Sequence, residues 1–170
     1  MKVAFVGSRE FRDLSLVDLA VDKQPEGTII ISGGARGTDT RAETRAKERG
    51  LTVISYRPFR RSDGRWQIEK WTFVPGEEAT VEAYEEKGRP KTYYSFGQAA
   101  FARNEFILRA ADKAIVFWHG IKEHSGTWND LEILRRMKKW YLLIRFDADW
   151  ETFTWSEYYK PGGGEKYGSQ

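Results

Sequence analysis

Five short apolar runs constrain the fold of this chain more than any other feature. They are residues 3–6 (Val-Ala-Phe-Val), 28–31 (Thr-Ile-Ile-Ile), 51–54 (Leu-Thr-Val-Ile), 114–118 (Ala-Ile-Val-Phe-Trp) and 141–144 (Tyr-Leu-Leu-Ile). Each is nearly continuous rather than alternating. That pattern suits a strand covered on both faces, as in a parallel sheet. Between most of them lie helix-like stretches, at 14–21, 39–49, 98–111 and 128–138. In the third, Ala99, Ala102, Phe106 and Ala110 fall on one face. Strand alternating with helix predicts an α/β fold: Rossmann-like and doubly wound, with a mainly parallel five-stranded sheet and helices on both faces. Five strands are too few for the usual α/β barrel.

The alternation breaks once. More than forty residues separate the run at 51–54 from the helix at 98, too many for a structureless loop in a compact domain. The segment holds Trp66, Trp71, Phe73, Tyr84, Tyr93 and Tyr94, with a helix-like stretch at 76–87 and a strand-like one at 70–74. It reads as an inserted aromatic-rich arm at 59–92. Arg57, Arg60, Arg61, Arg65 and Lys70 interleave there with Phe59, Trp66 and Trp71, which suits either base stacking or a satellite core with a solvated charged face. A lid over a ligand is a further reading. The expected organisation is a domain over 1–146 carrying that insertion, then a tail over 147–170. In the tail Trp150, Phe153, Trp155, Tyr158 and Tyr159 are expected to pack on the body, and Gly162, Gly163 and Gly164 to be flexible.

Composition narrows the chemistry. The length of 170 residues favours one domain, and 7 Trp argue against disorder. The absence of Cys excludes disulfide scaffolds, thiol catalysis and Cys-ligated zinc. With only His119 and His124, no metal site and no cofactor is expected. Lys and Arg exceed Asp and Glu by 28 to 25, a net +3. That permits an anionic ligand without indicating nucleic acid. The opening Met1–Gly7 is too short for a signal sequence, and no apolar run approaches the roughly 18 residues of a membrane helix. A cytoplasmic protein with no membrane partner is expected.

Ligands of such sheets bind at the carboxyl ends of the strands, where the strand order reverses. The residues there are Gly7-Ser8-Arg9, then Ser32-Gly33-Gly34-Ala35-Arg36-Gly37-Thr38-Asp39, then His119-Gly120 with Ser125-Gly126-Thr127. Two of these turns run into helix starts, at Thr38–Asp39 and Thr127–Trp128. Glycine lets a backbone approach a phosphate, and a helix N-terminus offers free N–H groups with partial positive charge. The turns together suit a phosphate cradle. Neither GxGxxG nor GxxxxGK[ST] is present, so the dinucleotide fingerprint and the P-loop are excluded on sequence.

These turns occur in order with Ala42-Glu43, with Phe96-Gly97-Gln98-Ala99-Ala100 running to Arg103-Asn104, and with Ala111-Asp112 before a strand. The combination, over roughly 2–58 and 93–146, resembles the SLOG superfamily of Rossmann-like nucleotide-binding proteins, in its small YspA-like branch. LOG-type phosphoribohydrolases and the DprA DNA-processing proteins are related. The resemblance implies a nucleotide-like small-molecule ligand, such as a nucleoside monophosphate, an ADP-ribose-like compound or a cyclic signal nucleotide. It also implies a homodimer or higher homo-oligomer, with the helices at 98–111 and 128–138 as candidate interface. A DprA-like single-stranded DNA binder is the alternative.

LOG-type enzymes act on the N-glycosidic bond of a nucleoside 5′-monophosphate with an Arg and a Glu. Arg103 matches that Arg, and Asn104 replaces the Lys that follows it. Gly126-Thr127-Trp128-Asn129-Asp130 matches the Gly-Thr-x-x-Glu motif with Asp130 for Glu, and His124-Ser125-Gly126 stands for Pro-Gly-Gly. These departures favour binding over turnover, because misplacing a catalytic group by roughly 1 Å costs about a hundredfold. The resemblance makes Asp130 and Arg103 the catalytic candidates for an N-glycosidase. Asp130 would stabilise or attack an oxocarbenium-like C1′. Arg103 would hold phosphate or ribose. Ser8, Gly34, Gly37 and Thr127 would hold phosphate oxygens, and Asp39 a ribose hydroxyl. Gly7, Arg9, Ser32, Gly33, Arg36, Thr38, Asn104, Ser125 and Gly126 complete the expected binding set. Asp130 also fits the capping-box partner of Thr127, and Asp39 fits a charge favouring its helix dipole.

Overall fold

The computed structural model describes residues 1–118, 126–146, 153–160 and 164–169. In chain order the elements are β1 (Lys2–Gly7), α1 (Leu14–Asp22), β2 (Ile29–Ser32), α2 (Thr38–Glu48), β3 (Thr52–Arg60), β4 (Trp66–Phe73), β5 (Thr80–Ala83), β6 (Glu85–Glu86) and β7 (Arg89–Pro90). They continue as α3 (Phe96–Ala110), β8 (Lys113–Trp118), α4 (Gly126–Met137), β9 (Trp140–Phe146), β10 (Phe153–Lys160) and β11 (Gly164–Ser169).

The five apolar runs form the parallel strands β1, β2, β3, β8 and β9, in spatial order β9-β8-β1-β2-β3. Their apolar continuity follows from burial on both faces. Val3 and Phe5 of β1 join Val17 and Val21 of α1 and Ala42 and Ala46 of α2 on one side. Ala4 and Val6, pointing the other way, join Phe106 and Ile107 of α3 and Leu131 and Leu134 of α4. All four β1 residues are at most 2% exposed. The sheet is thus covered by helices on both faces. It is a mixed α/β sheet, mostly parallel in its centre.

The chain winds from β1 outward through β2 to β3, then returns to place β8 on the other side of β1. The order therefore reverses between β1 and β8, which opens a crevice beyond their carboxyl ends.

The expectation of five strands is corrected. Beyond β3 the chain turns back, and β4 and β5 add antiparallel to that edge, making seven strands. On the opposite edge β10 and β11 pair antiparallel outward from β9, extending the sheet to nine. Edge strands present unpaired N–H and C=O groups, and adding antiparallel hairpins satisfies them.

The helix-like reading of 76–87 is also corrected. Gly76 turns at φ +77°, and β5 and β6 follow. The acidic spacing resembles a helix face, but Thr80-Val81 pair across the ladder with Thr72 and Trp71. Most of the insertion is thus sheet. The expected strand at 70–74 is the second half of β4. Trp66 packs edge-on against Phe96, and Tyr84 stacks on Phe106 at 4.2 Å, which ties the arm to α3. Among the described residues no helix is long and apolar enough to cross a membrane.

Candidate functional site

The crevice at the β1/β8 reversal holds a cavity of about 300 Å³. Its walls come from four separate parts of the chain: Gly7, Ser8 and Arg9 after β1; Ala35 and Asp39 around the start of α2; Ala100, Phe101, Arg103 and Asn104 along α3; and Gly126, Thr127 and Asp130 at the start of α4. The turn after β1 meets the first turn of α4 directly. Ser8 Oγ lies 3.5 Å from Thr127 Oγ1, and Ser8 N–H donates to the Phe117 carbonyl at 2.9 Å. Thr38 Oγ1 donates to the Ser8 carbonyl at 3.2 Å, so the first turn of α2 braces the same corner.

Besides the exposed Arg9 and Glu10, three buried ionisable groups meet in this cavity. Arg103 is 7%, Asp39 6% and Asp130 5% exposed. Arg103 Nη1 donates to the Gly33 carbonyl at 2.7 Å, and its Nε donates to Asn104 Oδ1 at 3.3 Å. Among the described residues no carboxylate lies within ion-pair distance of its guanidinium. Burial lowers the Arg103 pKa, and the charges of Asp39 and Asp130 oppose that. An arginine remains cationic under such a shift.

The carboxyls respond to the same burial. Desolvation pushes Asp39 up to about 7, against the pull of Arg103. Desolvation raises Asp130 well above the usual carboxylate range, the nearby Asp39 adds to it, and Arg103 opposes it. Burial and the Asp39 charge both favour the protonated form of Asp130. Its Oδ1 is buried with no hydrogen-bond partner. Two raised acids beside a buried cation form the kind of perturbed cluster found at functional sites.

Apart from Ala35, the glycine-rich turn is fixed from beneath rather than lining the cavity. Asp39 Oδ2 accepts from the N–H groups of Gly33, at 3.1 Å, and Ala35, at 3.4 Å. The protein's own carboxylate thus occupies two amides of this turn. Below it Glu43, 3% exposed, accepts from the hydroxyls of Ser32 and Ser55 and pairs with Arg57 at 2.8 Å. Gly34, at φ +67°, lies directly under Arg57: a Cβ there would fall 2.6 Å from Arg57 Nε. Gly37, at φ +86°, abuts the Arg9 carbonyl in the same way. Only glycine accommodates both the left-handed backbone and the close approach.

Of the residues singled out in the sequence, Gly7, Ser8, Arg9, Asp39, Arg103, Asn104, Gly126, Thr127 and Asp130 line one cavity. Ser32, Gly33, Gly34, Gly37 and Thr38 stand behind its wall, and Arg36 is exposed away from it. Ser125, His119 and His124 lie outside the described residues. None of the residues 59–92 is among the walls. The basic residues of the arm instead make local pairs, with Arg61 to Asp63 and Lys70 to Glu82. The sequence reading missed Phe101, whose signal was its place three residues before Asn104 on one helix. It also missed the Glu43–Arg57 support, whose partners are fourteen residues apart on different elements. Among the described residues no cluster of three His, Cys, Asp or Glu could hold a metal ion.

Solved structures similar to this chain include the carbon-nitrogen hydrolase from Helicobacter pylori G27, 12% identical, which covers 98% of this chain and 85% of that one at a TM-score of 0.36. A likeness at that level carries no argument. No curated protein matches the chain. The motif resemblance is met by a direct family match: residues 1–62, from β1 to just past the end of β3, fit the model of YAcAr, the YspA, cpYpsA-related SLOG family.

Proposed function

We propose that the cavity binds a nucleotide or nucleotide-derived small molecule, with the phosphoribosyl part at its deep end. One observation carries this reading: Asp130, 5% exposed, presents an unpartnered oxygen in a cavity that also holds a buried guanidinium without an ion pair. An unsatisfied buried polar group costs about 1–3 kcal/mol. A ligand offering hydroxyls to Asp130 and an anion to Arg103 removes both deficits. Ribose and phosphate supply that combination. Ser8 and Thr127 add hydroxyl donors for the anion. The family match over 1–62 supports a nucleotide-related ligand. A cavity of about 300 Å³ is at the small end for ligand sites and suits a single nucleotide better than a dinucleotide.

The finer form of the proposal is hydrolysis of the N-glycosidic bond. Water oxygen bonds to C1′, and the C1′–N pair leaves with the base. Asp130, whose protonated form burial favours, gives its proton to the departing nitrogen, and the proton lost by water restores it. This assigns Asp130 as proton donor rather than as a fixed charge. A homodimer through α3 and α4 belongs to the same reading, and sedimentation measures it.

Calorimetry with nucleoside 5′-monophosphates, ribose 5-phosphate and inorganic phosphate tests the binding, with chromatography for released base. Binding of a monophosphate is expected, strongly weakened in Arg103→Met. Base release, where present, is expected to vanish in Asp130→Asn while binding persists. Absence of binding to every probe would overturn the reading. Salt separates it from the single-stranded DNA alternative, whose affinity would fall steeply from about 50 to 200 mM.

A further inference from the structure

Four wall residues belong to α3, and the helix orders them from buried to open. At about 100° per residue, Arg103, Ala100, Asn104 and Phe101 follow one another around the helix surface. Arg103 is 7% exposed at one end of this series, and Phe101 is 54% exposed at the other. Ala100 is small and leaves room between them. Polarity and depth thus change together across a single helix face: a cation within, an aromatic ring at the rim.

An exposed phenylalanine at the mouth of a polar cavity has a specific use. We infer that Phe101 is the stacking platform for the ligand's nucleobase and that Asn104 reads the base edge. This inference rests on the proposed nucleotide binding and adds the orientation of the ligand: phosphoribosyl inward, base outward. Stacking accepts any base, because every base has a π-face. Discrimination falls to Asn104. Its Oδ1 is held by Arg103 Nε–H at 3.3 Å, which turns the amide so that Nδ2 carries the free donors. Among the described residues Nδ2 has no hydrogen-bond partner. It therefore favours a base presenting a ring nitrogen or carbonyl acceptor towards it. Arg103 accordingly has two tasks, attracting the anion and orienting the amide that meets the base.

The test compares ligands with and without a base. Affinities of the four nucleoside 5′-monophosphates and of ribose 5-phosphate are measured by calorimetry on the wild type, Phe101→Ala, Phe101→Trp and Asn104→Ala. Phe101→Ala is expected to weaken the best monophosphate roughly tenfold or more and to leave ribose 5-phosphate unchanged. Phe101→Trp is expected to keep or tighten monophosphate binding. Asn104→Ala is expected to narrow the differences among the four bases. Equal losses for ribose 5-phosphate and monophosphates in Phe101→Ala would overturn the stacking role and leave the cavity reading standing. Unchanged affinities together with a changed sedimentation coefficient would assign Phe101 to contact between copies and overturn it likewise. A wild type that binds neither ribose 5-phosphate nor any monophosphate would overturn both readings. Phe101 is exposed, so these substitutions leave the core intact.

Discussion

Replacing Asp130 by Asn is expected to stabilise the protein, and increasingly so as pH rises. The side chains are nearly isosteric, so packing is conserved and the amide inherits the same unpartnered position. What changes is titration. In the unfolded chain the carboxyl ionises around its ordinary 3.8; in the folded protein burial raises it well above that. Between those two points the folded state holds a proton that the unfolded state has lost. Unfolding then releases a proton, so folding stability falls as pH rises through this window. The slope for one group is about 1.4 kcal/mol per pH unit. The window opens at the ordinary value of 3.8 and closes at the raised folded value, so the gain grows with pH across it. For a chain of this length each kcal/mol gained is roughly 2–4 °C in Tm. Guanidinium chloride unfolding of both proteins at pH 4.5, 6, 7 and 8 measures it. The difference between the two proteins is expected to be smallest at pH 4.5 and to widen above it. A difference independent of pH, or no gain at pH 8, would refute the claim that this carboxyl is desolvated. Gaining stability by removing a group is the signature of a residue kept for something other than folding.

Two further outcomes follow from the same geometry. Monophosphate binding to Arg103 withdraws the cation's support from Asp39 and Asp130, so both hold their protons more tightly in the complex. Affinity should then fall as pH rises from 7 to 8.5, by up to roughly tenfold per unit for one proton, with net proton uptake seen by calorimetry in buffers of different ionisation enthalpy. Gly34→Ala should cost about 1–3 kcal/mol in urea unfolding, since it combines a left-handed backbone with displacement of Arg57 from Glu43, a carboxylate only 3% exposed.

The parallel centre of the sheet was legible because double-sided burial writes itself as continuous Val, Ile and Phe. Val3–Val6 could be assigned without any partner in view, and so could the place where Ser8, Thr127 and Arg103 meet, since strand-end turns converge by topology. The arm was not legible. Glutamates at 77, 78, 82, 85 and 86 imitate a helical face, whereas pairing with β4, a tertiary effect, decides for strand. The roles within the glycine-rich turn were hidden for a similar reason. Nothing local says that the amides of Gly33 and Ala35 are taken by Asp39, because the sequence shows donors without showing which acceptor reaches them first. Phe101 was passed over since one aromatic among Ala99, Ala100 and Ala102 reads as core, and only the position of the cavity turns it outward.

The central strand has a temporal consequence. β1 is made long before β8, yet its ladder on one side is closed by that strand, and Lys2 and Asp112 exchange hydrogen bonds across 110 residues of chain. On a ribosome the first strand must wait, half paired, until residue 118 has cleared the exit tunnel. The family-matched stretch 1–62 is by then long complete, but it carries neither Arg103 nor Asp130. A nascent chain therefore holds Ser8, Arg9 and Asp39 of the cavity long before the buried guanidinium and carboxyl that complete its walls.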